Sequence, residues 1–501
     1  MLSGAINTNV SALFALNSLS NTSNTTSTLE QQLSSGLAIN SPADNPAGYI
    51  AAQGFQTQIG GVQQAISNSN EAISLVQTAD GAITQQVNLL QQISAISAQA
   101  ANGINSVSQL ASLQQVVSQL QTQVTTISTQ TQFSGLNLLD GSFQGVQFQV
   151  GANEGQTIQL SIGNTGANQL GVYDSAAAGA GLYHTHGSSA GGVADNTGAS
   201  YAITSGGVGA FTSGNIGVSG SAGAANFNVS STTEAAKDAA TAINANTAKT
   251  NVTAVADTSV AFTVTSGSIW FTLGNGNGAA QSNKVNISAT VTSVTPSGLA
   301  SLVNAINQET GQTGVTAQVN AANQIVLTQS QGDNISFAGF AGTGTLAAGG
   351  TSTVTLGTAG GDVASATIQG LVTLQSNQSF ALAAAASNIG LATSSSLSAL
   401  SSANVGTTAG ANAALNVVSY AIQQLENIGG QLGAVQQRLQ ATVSNLQSTD
   451  TNLTTAQGVV QDANIPQVTS QLTQQQVLQQ AGISALVQSN ALQQSFLKLL
   501  Q

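Results

Sequence analysis

A long series of apolar residues, spaced alternately three and four positions apart, limits what this chain can fold into. It covers residues 59–90 and predicts a single helix about 48 Å long at ~1.5 Å per residue. Two further series cover residues 110–127 and 418–453. Ser69 and Asp80 are polar exceptions in the first series, and a polar seam residue can fix the register of paired helices. These helices predict a rod whose seam contains Ile59, Val62, Ile66, Ile73, Val76, Ile83, Val87, Leu90, Val418, Ile422, Leu425, Leu432, Leu439, Val443 and Leu446.

Both ends of the chain carry a weaker apolar stripe at helical spacing. The C-terminal stripe contains Leu478, Ala481, Ala485, Leu492, Phe496 and Leu499, and the N-terminal one contains Ile6, Val10, Leu13, Leu16 and Leu19. Neither stripe is charged or apolar enough to stabilise a lone helix, so we expect each end to pack on the other. Residues 21–28 are Asn, Ser and Thr only, which predicts a weak stretch before the helical pattern resumes at Leu29. Two such ends suggest a protein that assembles with copies of itself.

The apolar spacing changes from helical to alternating after residue 145. Val146, Phe148 and Val150 alternate with polar residues, and after the turn sequence GANEG the alternation returns through Ile158 and Leu160. This pattern predicts a β-hairpin against the long helices. Residues 175–387 then hold short alternating runs of Gly, Ala, Ser, Thr and Val, which indicate small β-rich domains.

An internal repeat lies in this β-rich region. Residues 242–265 align without a gap with residues 305–328, and each copy is predicted to be a short helix followed by two strands. Pro296 opens the helix of the second copy. Two copies indicate a modular insertion rather than a solenoid.

The order of these patterns predicts an α+β fold, with a long antiparallel helical coiled-coil rod from both chain ends and β-rich inserted outer domains. Residues 1–45 and 455–501 would be terminal helices that form the inner core of an assembly. Residues 46–174 and 388–454 would be the helical rod with its hairpin, and residues 175–387 the variable outer domains with the two repeats. Pro42, Pro46 and Pro466 mark the junctions.

The charge content excludes several classes of function. Only 4% of residues are charged, the net charge is -12, and five residues are basic. No basic patch exists to bind nucleic acid or an anionic membrane, and no stretch approaches a membrane span. The chain has no cysteine and only His184 and His186, fewer ligands than a metal site needs. We therefore expect no enzyme activity, no cofactor and no metal.

The two ends resemble bacterial flagellin, the subunit of the flagellar filament. The resemblance covers roughly residues 1–174 and 395–501. It rests on the segments INTN, LSSGLAINSPADNPAG, AISLVQTADGAI, QTQFSG, QVGANEGQTI, LGAVQQR and VLQQAG, which occur in the family's order. The internal repeat is similar to the IN module of the variable region of many flagellins.

This resemblance implies a function and several partners. The protein would be the structural subunit of the filament used for swimming, assembled from copies of itself outside the cell. The lack of a secretory signal fits export through the flagellar type III channel. An export chaperone would bind the C-terminal segment, and cap and junction proteins would contact the filament. In many flagellins charged rod residues bind the Toll-like receptor, and the matching positions here are Gln92, Ser94, Ala95 and Val116, which implies weak activation.

Two alternatives remain open from the sequence. A hook-filament junction protein shares the terminal helices, although the segments QTQFSG and VGANEG are more similar to filament flagellin. The β-rich middle is also compatible with an adhesin or a hydrolase displayed on a filament. Deleting residues 176–387 would separate a display role from filament formation.

Overall fold

The structure is a computed structural model that describes residues 9–175, 183–187, 202–204, 214–229, 236–275, 282–320, 322–348, 354–356, 365–368, 370–383 and 391–499. Long helices lie at both ends of the chain and β-sheets lie between them, so the predicted α+β fold class is confirmed. The helices of the described residues are α1 (Val10–Ser35), α2 (Pro46–Ala100), α3 (Val107–Gln130), α4 (Ala236–Asn244), α5 (Thr247–Thr250), α6 (Pro296–Gln308), α7 (Thr310–Thr313), α8 (Thr408–Gln461) and α9 (Ile465–Leu499). In this part of the chain no helix is long and apolar enough to cross a membrane.

Side-chain caps set the ends of several helices. The Asn9 side chain accepts a hydrogen bond from the backbone N–H of Ala12 (3.0 Å), which begins α1. Gly36 ends α1 in the left-handed conformation with φ of 73°, where a side chain would be strained. Ser106 and Gln109 form a reciprocal capping box at the start of α3.

The polar stretch 21–28 lies inside α1, which is one continuous helix, so the predicted weak stretch is not observed. Threonine hydroxyls there bond back to carbonyls one turn earlier, as from Thr22 to Ser18 and from Thr26 to Thr22, both at 2.9 Å. Thr26 is also buried. Packing against another helix therefore outweighs the low propensity of these residues.

The chain divides into two compact units. The first unit contains Met1–Asp80, Phe143–Ser161 and Gln431–Gln501. In it α1 packs on α9, and the predicted hairpin forms from β3 (Val146–Gln149) and β4 (Thr157–Leu160). The hairpin is fastened to α2, because the Asn68 side chain donates to the carbonyl of Gln149 at 3.0 Å.

The second unit contains Gly81–Ser142 and Ile162–Gly430. In its helical part, buried glutamine side chains connect neighbouring segments by hydrogen bonds. Gln86 of α2 donates to the carbonyls of Val124 (3.0 Å) and Thr165 (3.2 Å). Gln121 of α3 donates to the carbonyl of Leu400 at 2.7 Å. Such buried amides stabilise only when their hydrogen bonds are made, so they define one arrangement of these segments.

All strand pairs of the described residues are antiparallel. An eight-stranded sheet contains β13 (Val315–Val319), β14 (Ile325–Gln329), β10 (Thr253–Val264), β19 (Leu371–Ser376), β5 (Gly171–Ser175) and β21 (Ser396–Ala399) in that order, with β16 (Leu346–Ala348) beside β10 and β17 (Val354–Leu356) beside β16. A six-stranded sheet contains β12 (Ser282–Val291), β11 (Gly267–Asn275), β15 (Ile335–Gly342), β18 (Ser365–Ile368), β6 (Tyr183–Gly187) and β7 (Ala202–Thr204) in that order. Smaller sheets are β1 (Gln132–Phe133) with β2 (Leu136–Asn137), β3 with β4, and β20 (Ala381–Leu382) with β8 (Gly214–Gly220) and β9 (Gly223–Val229).

The twelve-residue strand β10 belongs to both hydrophobic cores of this region. Ala254 and Ala256 lie in the first core, under α4. Val260, Phe262 and Val264 lie in the second core, with α6 and the phenylalanines of β11 and β15. The two cores are therefore connected through the backbone of one strand.

The two copies of the repeat make equivalent hydrogen bonds and have similar sequences. Asn244 makes two hydrogen bonds to the backbone of Ala254 (2.9 and 2.7 Å), and Asn307 makes the same two to Ala317. Each copy thus joins its helix to the following strand by one asparagine.

The prediction of two strands after each helix is wrong for the first copy. In the second copy the chain turns between β13 and β14, where Asn323 takes the left-handed conformation with φ of 57°. In the first copy the aligned residues include the β-branched Thr258 and Val260, and β10 continues straight through. Asparagine tolerates the left-handed region and β-branched residues do not, which explains the difference.

Candidate assembly surfaces

The two terminal helices pair through a seam in which small and polar residues alternate with leucine and valine. On α1 the buried or half-buried positions recur at steps of three and four: Ala12, Ala15, Leu19, Thr22, Thr26 and Leu29. On α9 they are Val468, Leu472, Gln475, Gln479, Gly482, Leu486 and Ser489. A Cβ placed on Gly482 would lie 3.6 Å from Leu19 Cδ1, so Leu19 packs over the glycine. Small seam residues let the two helices approach closely.

Hydrogen bonds fix the register at the free end of this pair. Asn9 Oδ1 accepts from Ser489 Oγ (3.2 Å), and Asn9 Nδ2 donates to the carbonyl of Ser489 (3.4 Å). The same asparagine caps α1, so one residue both begins the helix and aligns it with α9.

A small backbone bridge fixes the other end of the pair. The N–H of Ala38 donates to the carbonyl of Gln461 (2.7 Å), and the N–H of Ala463 donates to the carbonyl of Gly36 (2.9 Å). The segment after α1 is thereby joined to the segment after α8. The chain therefore leaves α1 and enters α9 at neighbouring positions.

The turn before α2 is organised by Asp44. Its carboxylate accepts from the backbone N–H groups of Ser41 (2.8 Å) and Asn40 (3.0 Å), and these bonds hold the pKa of Asp44 below its ordinary value. Asn45 accepts from the N–H of Gly48 at 3.0 Å and begins α2. Asp44 therefore has a turn role and no catalytic partner among these contacts.

Nine large apolar side chains of α1 and α9 lie outside the seam and are exposed. Their exposed fractions run from 48% for Leu478 to 73% for Phe14. We call the following residues the outer apolar face: Val10, Leu13, Phe14, Leu16, Val477, Leu478, Ile483, Val487 and Leu492. A shallow groove between the helices is lined by Phe14 and Leu478 together with amide and hydroxyl side chains.

The predicted terminal stripes therefore differ from the observed seam. The two ends do pack on each other, but Val10, Leu13, Leu16, Leu478 and Leu492 face outward. Ala481 and Ala485 are exposed as well, and Leu19 is the member of the stripes that enters the seam. Ile6 lies outside the described residues, as do the side chains of Phe496 and Leu499. Large apolar residues do enter the seam, namely Leu19, Leu29, Val468, Leu472 and Leu486, but they lie among small and polar residues, so the seam is not the stripe that the largest apolar residues predicted.

The residues of the predicted rod seam are buried or half-buried in the single chain. Val62, Val76, Ile83, Leu90, Val418, Leu425, Leu432 and Leu439 are buried, and Ile59, Ile66, Ile73, Val87, Ile422, Val443 and Leu446 are half-buried. Ser69 is fully buried, with its hydroxyl bonded to the carbonyl of Ala65 at 2.7 Å. Asp80, the other predicted polar seam residue, is exposed, and Ala79 takes the buried position beside it.

The four positions that the sequence resemblance matches to receptor-binding residues carry no charge. Gln92, Ala95 and Val116 are exposed, and Ser94 is half-buried. They lie on α2 and α3 within the second unit.

Charged contacts are scarce throughout the described residues. Among them, one ion pair is found, between Lys237 of α4 and Asp333 at 3.0 Å. No group of three or more residues suited to hold a metal ion occurs in this part of the chain. His184 and His186 lie on β6, and their side chains are outside the described set. Arg438 is exposed on α8.

Sequence reasoning missed Asn9, Gly482 and Ser489 as contact residues of the seam. A signal for Gly482 existed, because a glycine inside a helix costs about 1 kcal/mol relative to alanine and implies a close approach. The role of Asn9 depends on Ser489, which is 480 positions away, and no local pattern connects them.

Comparison with known proteins places these surfaces in context. Residues 6–144 match the family profile described as the bacterial flagellin N-terminal helical region, and residues 415–500 match the bacterial flagellin C-terminal helical region. Residues 271–331 match the flagellin hook IN motif, which includes the second copy of the repeat.

One relative matches the whole chain, and others match a part of it. The sequence is 34% identical over 520 aligned positions to the B-type flagellin of Pseudomonas aeruginosa, covering 99% of both chains. It is 40% identical over 148 residues to a flagellin of Xenorhabdus nematophila, covering 30% of this chain and 47% of that one.

Solved structures with similarity include FliC from Burkholderia pseudomallei, at 19% identity and a TM-score of 0.31, covering 73% of this chain and 99% of that one. The flagellar junction protein FlgL from Legionella pneumophila is similar at 14% identity and a TM-score of 0.32, covering 83% and 100%.

Proposed function

The chain belongs to the bacterial flagellin family, and we propose that its paired ends, α1 and α9, are the part through which each copy enters the core of the filament. As a flagellin it is a structural subunit of the flagellar filament, which lies outside the cell. The observation that carries the proposal is the outer apolar face. Nine large apolar residues remain about half exposed or more after α1 and α9 have paired, which is the pattern of an interface between molecules.

We assign the domains of the filament subunit accordingly. Residues 1–45 and 455–501 form the inner core, residues 46–174 and 388–454 form the rod, and residues 175–387 form the outer domains. The buried heptad positions on α2 and α8 support the rod, and the sheets between them support the outer domains. The full-length match to a filament flagellin favours the filament subunit over a junction protein or a displayed adhesin.

We propose that an export chaperone binds part of the outer apolar face before assembly. An export chaperone that binds α9 would cover Val477, Ile483 and Val487, which otherwise associate early. We further propose that the chain is exported through the flagellar type III channel. A filament cap and a junction protein would be its other partners. No catalytic site is assigned.

We expect weak activation of the Toll-like receptor that recognises other flagellins. Gln92, Ser94, Ala95 and Val116 offer no charge for the paired hydrogen bonds that an arginine or a glutamate makes. A reporter-cell assay with monomeric protein tests this expectation, with a strongly activating flagellin as the reference. Equal potency of the two proteins would contradict it.

The proposed function is tested by seeded growth of filaments. Purified protein is incubated with sheared filament seeds and examined by negative-stain electron microscopy, together with a variant that lacks residues 477–501. We expect long uniform filaments from the intact chain and none from the truncated chain, because α1 loses most of its partner helix and the outer apolar face loses five of its nine residues.

A second variant, lacking residues 176–387, separates assembly from the outer domains. It keeps β5 and β21, which pair directly from Gly171 with Ala399 to Asp174 with Ser396. We expect this variant to form filaments of smaller diameter. Monomers that persist for the intact chain under all conditions would contradict the assignment.

A further inference from the structure

Two connections join the helices of the second unit to its sheets. The chain enters the sheets through β5 and returns to α8 through β21, and these two strands pair directly with each other. Strand β19 of the eight-stranded sheet pairs with the last residues of β5, from Tyr173 to Ser175. The ribbon of β5 and β21 would be marginally stable by itself. We would therefore expect it to act as a hinge if nothing else joined the sheets to the helices.

Gln424 of α8 contacts both the ribbon and the sheet beyond it. Its Oε1 accepts from the backbone N–H of Gly171 at the start of β5 (2.9 Å), and its Nε2 donates to the carbonyl of Asn377 after β19 (2.6 Å). Asn377 is buried, and its Oδ1 accepts from the side chain of Asn251 at 2.9 Å. One amide thus uses both its donor and its acceptor to join α8 to two segments of the sheet region.

Tyr420 makes another contact from the same face of α8, one turn before Gln424. Its hydroxyl lies 2.7 Å from Thr253 Oγ1, and Thr253 is the first residue of β10. The Thr253 hydroxyl donates to the carbonyl of Gln375 on β19 at 3.2 Å, so the tyrosine O–H is the group that donates to the threonine. Tyr420 and Gln424 are both half-buried. The helix is therefore bonded to the sheet at the strand that belongs to both cores.

We propose that Tyr420 and Gln424, which we call the α8 clamp, fix the orientation of the outer domains on the rod. The α8 clamp holds three separate segments, namely the start of β5, the start of β10 and the segment after β19. Hinge motion needs a few residues that absorb changes in backbone dihedral angles, and these segments are instead bonded to a helix. The sheets and α8 therefore move as one rigid body. This proposal concerns the single chain, so its outcome does not depend on filament growth.

The test measures the orientation of the outer domains with pairs of spin labels. The chain has no cysteine, so labels attach only at cysteines introduced by substitution. One pair, Gln119→Cys with Thr241→Cys, connects α3 to α4 and reports the orientation. The other pair, Thr241→Cys with Ser288→Cys, connects α4 to β12 and lies within the outer domains. All three positions are exposed, and pulsed electron paramagnetic resonance gives the distribution of distances for each pair.

In the parent chain we expect a narrow distribution of distances for both label pairs. The clamp variant combines Tyr420→Phe with Gln424→Met, which removes the hydroxyl and the amide but nearly preserves the size of both side chains. Without these bonds the ribbon can bend, so the distribution between α3 and α4 should become at least about twofold wider. The distribution within the outer domains should not change. A broad distribution between α3 and α4 in the parent chain, or an unchanged one in the clamp variant, would overturn the proposal.

A matched variant tests whether the effect belongs to the α8 clamp. Ser419→Ala with Gln423→Met changes the neighbouring exposed positions of α8, and we expect it to keep both narrow distributions. Equal broadening in the matched variant and the clamp variant would contradict the assignment. Helical circular dichroism and the fluorescence of Trp270 check that each variant is folded. Broadening of both label pairs in the clamp variant would show that these residues stabilise the outer domains rather than orient them, which also overturns the proposal.

Discussion

Replacing Phe14 and Val487 by serine raises the critical concentration for filament growth by about a thousandfold. Burial of these two side chains against other copies contributes about 4 kcal/mol, and each 1.4 kcal/mol corresponds to about a factor of ten. Both are more than half exposed in the single chain, and neither enters the seam. Sedimentation of seeded samples measures the change.

The fold of the single chain should be unaffected by this double substitution. Its helical circular dichroism and its thermal unfolding should match those of the parent chain. The matched control replaces Ile104 and Val107, which are 84% and 82% exposed at the connection between α2 and α3. Serine at those two positions should leave growth unchanged. Equal losses for both pairs would show that exposed apolar area in general, and not the outer apolar face, drives assembly.

Replacing Phe337 by alanine lowers the free energy of unfolding of the outer domains by about 3 to 5 kcal/mol and leaves filament growth intact. Phe337 is fully buried, and its ring centroid lies 5.2 Å from that of Phe262 and 5.4 Å from that of Phe271. The cavity left by the ring removes these contacts at the centre of the second core.

Trp270 reports this change because it is the one tryptophan of the chain and lies on β11, beside Phe271. Denaturant unfolding followed by tryptophan fluorescence should shift, whereas the helical signal of the chain ends should not. Val255→Ala is the control, since Val255 is half exposed on the outer side of β10. Loss of filaments in Phe337→Ala would contradict the separation of assembly from the outer domains.

The long helices could be predicted from the sequence because their signal is local and repeated. At most steps of seven residues along α2 and α8 an apolar side chain is buried, as at Val76, Ile83, Leu425 and Leu432, and Ser69 is an exception. A pattern of this length tolerates an error at one position. Asp80 shows how precise the prediction is: the spacing placed Asp80 in the seam, but the neighbouring Ala79 is the buried residue.

The pairing of the chain ends could be predicted, but the faces that make it could not. A stripe of the largest apolar residues is the usual sign of a buried face, and here those residues cover the outside. The seam uses Ala12, Ala15 and Gly482, whose small size matters only when the partner helix is known. This arrangement is the one expected if the outer apolar face is kept for copies of the same chain, as proposed above.

The sheets were predictable in kind but not in arrangement. Alternation identified strands around β3, β4 and β14, but the partners of β10 come from distant parts of the chain. Whether the strand after the helix turns depends on single residues such as Asn323. These choices are set by packing in the finished core rather than by local sequence.

Strand β10 also determines how the outer domains respond to mechanical load. It pairs with β19 over Thr253 to Asp257 and with β14 over Thr258 to Phe262, so tension along it acts on successive hydrogen bonds in parallel. A ladder loaded in this shear direction resists more force than one opened from its end, because its bonds must break together. Because β10 belongs to both cores, we expect a pull on one core to reach the other along this strand.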